Sequence, residues 1–228
     1  MIARMEKLGR DFYARPAIDV ARDLIGTVLV RRDRGKTYRT RIVETEAYVG
    51  PHDLACHASK GRTARTDVMF GPPGRAYVYL IYGMHEMLNV VTSIEGDPQA
   101  VLIRAAEPLD DWDANLTGPG RLARAMNITR ALNAIDLTGN TLFLTPNPGP
   151  PQRVVTGVRV GIDYAGDWRH EHLRFMDADS RAVSKPRPKI GPAAPTLLAA
   201  TAPARPASRR PLRPPTGDAP RKRRQPRH

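Results

Sequence analysis

The sequence predicts a chain of mixed strand and helix that folds as one domain, or at most two small ones, and ends in a tail that does not fold. Three observations predict it. At 228 residues with 41% hydrophobic content, the chain is long enough to bury one substantial core. Strand-like runs turn back on themselves at Asp33-Arg-Gly35 and again at Gly83, the pattern of antiparallel hairpins, while helical spacing is confined to two short stretches. From Lys185 onward eleven prolines fall among 44 residues, with arginine runs and little aliphatic content after Leu198. That composition cannot bury enough apolar surface to offset the entropy of ordering, so residues 185–228 read as a basic, Pro-rich, disordered tail and residues 1–184 as the folded domain.

Pro16 precedes Ala17-Ile-Asp-Val-Ala-Arg-Asp-Leu-Ile25, which reads as a short amphipathic helix with Gly26 as the residue that ends it. Thr27 to Arg32 reads as a strand, and the turn after it returns the chain into a second strand, Tyr38 to Tyr48. A polar, arginine-studded loop follows from Gly50 to Gly74; a loop this long inside a compact domain is more often functional than idle. Tyr77 to Tyr82 is strongly β-prone, Gly83 breaks it, Met87 to Ser93 is the return strand, and Val101 to Ala105 gives another. In Thr117-Gly-Pro-Gly-Arg-Leu-Ala-Arg-Ala-Met126 a capping threonine and an early proline precede Leu122, Ala125 and Met126 at helical spacing, which opens a helix. Val154 to Ile162 resumes strand character, and Ala165-Gly-Asp167 is a turn.

The formal charge of +13 invites a nucleic-acid partner, yet residues 185–228 hold twelve Lys and Arg against the single Asp218, which leaves only +2 for residues 1–184. A DNA-facing surface on the domain must therefore come from local clustering of arginines. Cys56 is the only cysteine, which excludes an intrachain disulfide and a thiolate-rich metal site and fits a reducing compartment. No segment reaches the roughly 18 consecutive apolar residues of a membrane span. The first residues, Met-Ile-Ala-Arg-Met-Glu-Lys7, lack the apolar core of a secretory signal. A cytoplasmic protein without a membrane partner is expected.

In Arg41-Ile-Val-Glu-Thr-Glu-Ala-Tyr48 a period of two puts Glu44, Glu46 and Tyr48 on one strand face and Val43, Thr45 and Ala47 on the other. Two carboxylates in line with an aromatic ring can hold a water and stack a flat substrate, the minimum equipment for breaking a bond to a nucleobase or sugar. Alternating glutamates are otherwise simply a solvated strand face. Tyr77 and Tyr79 share a face, whereas Tyr82 sits directly before a glycine that supports a tight turn, where an aromatic is a candidate wedge into stacked bases. The bland alternative is three sheet-forming tyrosines in a core. His52, Asp53, Cys56 and His57 look superficially like a metal site, but adjacent Cys56 and His57 cannot easily both face one ion and no second ligand pair follows. His57 is better read as a hydrogen-bonding group in a pocket. Arg62 and Arg65 in the long loop, and Arg121 and Arg124 beside the Gly118-Pro-Gly120 helix start, are candidate phosphate contacts as a cluster, although each alone reads as a surface charge.

Taken together these motifs resemble the alkyladenine (3-methyladenine) DNA glycosylase family, bacterial type. The matching stretches, in order from about Leu8 to Phe175, are Arg41 to Pro51, the His57 loop, Met69-Phe-Gly-Pro-Pro-Gly74, Tyr77 to Asn89, Val101-Leu-Ile-Arg-Ala-Ala-Glu-Pro-Leu109, Gly118-Pro-Gly-Arg-Leu122 and Arg159-Val-Gly-Ile-Asp-Tyr-Ala-Gly166. The resemblance implies an α+β fold, a single compact domain around a curved, mostly antiparallel, barrel-like sheet with flanking helices. It implies a monofunctional base-excision-repair enzyme that flips alkylated or deaminated purines, 3-methyladenine and hypoxanthine among them, from double-stranded DNA and hydrolyses the N-glycosidic bond. By position in the matched motifs, Glu46 is the residue that activates water and Arg104 the arginine beside it. Tyr48, His57 and Tyr79 are walls of the base pocket, and Asn89 the group that discourages guanine. Tyr82 is the intercalating wedge, with Met84, His85, Arg62, Arg65, Gly118 and Arg121 at DNA contacts. No metal and no cofactor are implied, and a monomer is expected. Glu44 receives no role. The chain departs from the family where Arg-Phe-Tyr and a glycine ordinarily precede a final Val-Ser: here Arg174-Phe-Met-Asp-Ala-Asp-Ser-Arg-Ala-Val-Ser184 stands instead, which opens the question of how that segment packs. The tail has no recognised counterpart.

Two other classes fit parts of the pattern. A lesion-binding or architectural protein would insert Tyr82 without chemistry. A metal-dependent nuclease would use Glu44, Glu46 and Asp53.

Overall fold

A computed structural model of the chain describes residues 6–147 and 149–187. The predicted tail therefore lies, apart from Lys185 to Arg187, outside the described residues. The described chain is an α+β domain built on one curled, eight-stranded antiparallel sheet. Its strands are β1 (Val28–Asp33), β2 (Lys36–Tyr48), β3 (Ala76–Ile81), β4 (His85–Thr92), β5 (Gln99–Pro108), β6 (Leu142–Thr145), β7 (Val154–Gly157) and β8 (Arg174–Asp177), and its helices are α1 (Arg10–Tyr13), α2 (Ala17–Asp23) and α3 (Pro119–Ala125). The main path runs β3-β4-β5-β2-β1-β6. The long β2 changes partner along one edge: its first half pairs with β1, and Glu44 to Glu46 pair with β8, which in turn pairs with β7.

One face of the sheet carries the main core. Ile42, Ala47, Val78, Leu88, Val90, Val101 and Ile103 pack there with Val20, Ala21 and Leu24 of α2 and Leu122 and Ala123 of α3. These are the apolar periodicities read from the sequence, buried together because each amphipathic element has to hide one face. The alternation along β2 is not uniform, however. Against β5 the register passes from Ile42↔Ala106 to Glu44↔Ala105 and then to Thr45↔Ile103, so Val43 on β2 and Arg104 on β5 are each an extra residue. The irregularity corrects the sequence reading of Val43, Thr45 and Ala47 as one regular face: Ile42 joins the core, and Val43 is the inserted residue. It also aims Arg104, since an unpaired bulge residue is free to point where the regular pleat would not send it.

The opposite face carries one row of directly paired residues across six strands: Tyr77↔Asn89, Asn89↔Leu102, Leu102↔Glu46, Glu46↔Arg174 and Arg174↔Gly157. Paired residues on antiparallel strands share a face, so Tyr77, Asn89, Glu46 and Arg174 stand in line although Glu46 and Arg174 are 128 positions apart in the chain.

Element boundaries moved in several places. Tyr82 is not in a strand: it lies at φ 52 with Gly83 at φ 70, and Met84 N–H bonds to Ile81 O at 3.2 Å, a type I′ turn that twists in the sense the hairpin needs. The helix at Pro119 starts without the predicted threonine cap, because the Thr117 hydroxyl bonds to Asn115 Oδ1 at 2.6 Å instead and Gly118 takes the cap position. Strand character from Val154 stops at Gly157. The turn at Ala165 opens a short 3₁₀ helix, Gly166–His170.

Candidate active site

Both glutamates of β2 are fully buried, so the reading of them as a solvated strand face is wrong. Their surroundings differ. Glu44 Oε1 accepts from Arg104 Nε at 3.0 Å, Arg174 Nε at 2.6 Å and Ser184 Oγ at 3.0 Å, and its Oε2 accepts from Ser184 N–H at 2.7 Å. Three donors thus crowd Glu44 Oε1 and one meets Oε2, all of them from protein groups. Glu46 Oε1 accepts from Val160 N–H at 2.8 Å, and Oε2 accepts from the Tyr48 hydroxyl at 2.9 Å and faces an Arg104 terminal nitrogen at 3.3 Å.

Beside this pair opens a cavity of about 240 Å³, whose lining includes Tyr48, His57, Tyr77, Tyr79, Asn89 and Arg104. The His57 and Tyr79 rings meet edge to face at 4.6 Å between centroids, and Tyr77 and Tyr79 lie 5.2 Å apart. His57 Nδ1 bonds to the Tyr77 hydroxyl at 2.9 Å. Burial, and then the nearby Arg65 cation, push His57 down to about 4, which leaves its ring neutral at pH 7. Burial pushes the Tyr77 phenol up to about 12. Burial also raises Tyr48 and Tyr79 well above an ordinary phenol, with the Glu46 charge adding to both, so the three hydroxyls keep their protons. Asn89 is fixed by its amide nitrogen, which donates to Tyr77 O at 3.1 Å.

At the rim the turn of the β3–β4 hairpin holds Tyr82 82% exposed and Met84 69% exposed. His85 follows, packed so closely on the start of α3 that a Cβ on Gly120 would stand 3.2 Å from it. That contact joins Gly118 and Pro119, which lines the cavity, to the same rim. Arg65 lies over the Tyr79 ring at 5.0 Å. Arg62 is turned instead to Asp67, at 2.7 Å, and Arg121 donates to the Thr117 hydroxyl at 3.1 Å. The structure thus gathers Arg104, Tyr48, His57, Tyr79 and Asn89 around one cavity, with Glu46 bonded to Tyr48 and Arg104 of its wall, and Tyr82, Met84, His85, Gly118 and Arg65 at its edge. It gives Arg62 and Arg121 local partners of their own.

Residues 11–181 match the family described as methylpurine-DNA glycosylase. The chain belongs to that family. It is 52% identical over 187 residues to a protein of Myxococcus xanthus, covering 81% of this chain and 96% of that one. It is 48% identical over 197 residues to one of Methanocella arvoryzae, covering 81% and 98%, and 50% identical over 182 residues to one of Legionella pneumophila strain Corby, covering 79% and 100%. All three carry the provisional name 3-methyladenine DNA glycosylase. Family membership makes the chain a DNA glycosylase, a hydrolase of base excision repair.

Several residues of this glycosylase site escaped the sequence reading. Asp53, considered there only as a metal or nuclease ligand, has both oxygens engaged by Arg159, at 2.5 and 2.9 Å. Among the described residues no group of three His, Cys, Asp or Glu is placed to hold a metal ion, and none of their helices is long and apolar enough to cross a membrane. Arg159 lies 4.8 Å from the Tyr48 ring centroid, behind the pocket wall. The atypical segment does pack: Arg174 to Asp177 form β8, fully buried, and Ser184 reaches Glu44. Tyr164, 70% exposed, lines the cavity from the loop after β7.

Proposed function

We propose that this glycosylase takes an alkylated or deaminated purine, 3-methyladenine or hypoxanthine, out of duplex DNA into the tyrosine-walled cavity and hydrolyses its N-glycosidic bond with water activated by Glu46. One observation carries the reading. Of the two glutamates of β2, Glu46 is the one whose partners Tyr48, Val160 and Arg104 all line the cavity walled by aromatic rings, whereas Arg174 and Ser184, which hold Glu44, do not. Glu46 accepts the water proton as the water oxygen bonds to C1′ of the sugar, and the glycosidic electron pair leaves with the base. The same carboxylate offsets the positive charge that develops on the sugar as that bond lengthens, and Arg104 holds it in place. Alkylated purines are often cationic, and tyrosine faces attract a cation by roughly 0.5–2 kcal/mol more than a neutral base. The neutral His57 adds no repulsion.

Tyr82 supplies the wedge that fills the space left by the extruded nucleotide, at an unstacking cost of roughly a few kcal/mol that pocket contacts offset. Met84, His85, Gly118, Arg62, Arg65 and Arg121 contact the backbone around it. Asn89, fixed on the cavity wall by the bonds of its amide nitrogen to Tyr77 O and Met87 O, is the group that disfavours the exocyclic amine of guanine.

The test is Glu46→Gln in single-turnover excision from methylated duplex DNA, with and without chelator. Binding is retained and base release falls by roughly two to four orders of magnitude, the usual worth of a general base. Excision at the parental rate overturns the mechanism. Binding by the parental protein without any release of base favours a lesion-binding protein, and chelator-sensitive strand cleavage favours a nuclease.

A further inference from the structure

We infer that Glu44 and Ser184 are positioning residues that hold the Arg104 guanidinium so that it supports Glu46 through one nitrogen only, which makes the segment carrying Arg174 and Ser184 part of the reaction centre. The inference rests on the reading of Glu46 as the group that activates water. Each face of the Arg104 guanidinium has a different acceptor: Nε donates to Glu44 Oε1 at 3.0 Å, one terminal nitrogen faces Glu46 Oε2 at 3.3 Å, and the other donates to Ser184 Oγ at 3.3 Å. An arginine beside a single carboxylate ordinarily settles into two parallel bonds with it. Such a fork on Glu46 would cover the acceptor position that the water needs and would hold the carboxylate ionised more firmly, weakening it as a base. Glu44 and Ser184 prevent the fork by occupying the other two nitrogens.

They are themselves held. Ser184 N–H and Arg174 Nε fix Glu44, and the Arg174 terminal nitrogens donate to Ser184 O and Pro186 O, each at 2.9 Å. Two carboxylates and two guanidiniums, all nearly sealed from solvent, therefore balance. A buried cluster of four charges is a poor way to gain stability, because desolvation cancels much of the attraction. Its place beside Glu46 points to a use in the reaction.

Glu46 is faced by Glu44 and Tyr48 on its own strand, Arg104 on β5, Arg174 on β8, Tyr79 on β3 and Arg159 from the loop after β7. Loss of Ser184 Oγ frees an Arg104 nitrogen to turn onto Glu46, and loss of the Glu44 charge leaves an excess cation there. Both changes stabilise the Glu46 carboxylate, so both move the acid limb of the pH–rate curve to lower pH.

The experiment measures single-turnover release of methylpurines from methylated duplex DNA across pH, using the full chain and its Ser184→Ala, Ser184→Thr, Glu44→Gln and Glu46→Gln variants. Binding and thermal melting are followed in parallel. Ser184→Ala slows release roughly ten-fold, about the worth of one charge-assisted hydrogen bond, and lowers the acid limb. Ser184→Thr, which keeps a hydroxyl, restores both, and Glu44→Gln gives a larger loss with the same direction of shift. A parental rate and an unmoved limb in Ser184→Ala, with Glu46→Gln inactive, overturn the inference alone. A rate loss that tracks a lower folded fraction with no shift of the limb overturns it as well. Parental activity of Glu46→Gln instead overturns the underlying assignment of Glu46. Should Glu44→Gln fail to fold, the Ser184 pair decides.

Discussion

The Arg159 guanidinium meets the Asp53 carboxylate through two hydrogen bonds, 2.5 and 2.9 Å long, with both side chains sealed from solvent. The same guanidinium donates to Ala47 O at 2.9 Å and backs the Tyr48 ring, while Asp53 accepts from Ala55 N–H at 3.0 Å. Loop, strand and pocket wall are thereby joined at one point. Asp53→Ala leaves a buried cation with no counter-charge, which costs about 3–5 kcal/mol. Urea unfolding measures it, and a loss below 1 kcal/mol would show the pair to be incidental. Arg159→Lys also weakens the fold, because one ammonium cannot reproduce a planar fork.

Tyr82 sets stability against binding. A tyrosine at φ 52 is strained, by roughly 1–3 kcal/mol, yet its side chain is 82% exposed and gains little from the fold. Tyr82→Asn, with a residue that tolerates this conformation, should raise the melting temperature and at the same time weaken binding to damaged duplex. Lower stability in that variant would mean that the ring packs on the hairpin, and unchanged binding would remove Tyr82 from the DNA contacts.

His57 should titrate far below an ordinary imidazole. Its folded value of about 4, set by burial first and Arg65 second, lies under the unfolded value of about 6.5. As pH falls the unfolded chain takes up the proton first, so the fold loses stability from about pH 6.5 down to about 4 and loses no more from this group below that. An NMR titration of the His57 ring should show a midpoint near 4. Arg65→Gln should raise it only part of the way, since burial is the larger cause; a midpoint above 6 in the parental protein would contradict the geometry.

Local patterns carried much of this into the sequence. Hairpin turns, the helix before Gly26 and the strand that bears Glu44, Glu46 and Tyr48 are set by neighbouring residues, and their types could be read directly. What could not be read depends on register. That Glu44 is tied away from the cavity is decided by Ser184 and Arg174, more than a hundred residues away in the chain. The bulge that points Arg104 at both carboxylates is a property of two strands together and leaves no mark in either. Leu142 to Thr145 were missed as a strand because three apolar residues and a threonine after a turn have no period to detect. The Arg159–Asp53 pair spans 106 positions, and only proximity of the two loops reveals it.

Tyr48→Phe separates pocket wall from proton donor. The ring and its contact with Arg159 remain, but Glu46 Oε2 loses a hydroxyl donor at 2.9 Å. Burial, and then the Glu46 charge, keep the Tyr48 phenol protonated across the neutral range, so the parental hydroxyl donates at every working pH. Its removal destabilises the Glu46 carboxylate relative to the acid form. The acid limb of base release should then move to higher pH, since a hydrogen bond to the charged form is lost. Well above that limb the rate should stay within about ten-fold of the parental one, since Val160 N–H and Arg104 still orient the carboxylate. This shift is opposite in sign to the one expected of Ser184→Ala. The double variant should therefore bring the limb back toward its parental position, and two shifts of the same sign would show that Glu46 does not set the limb.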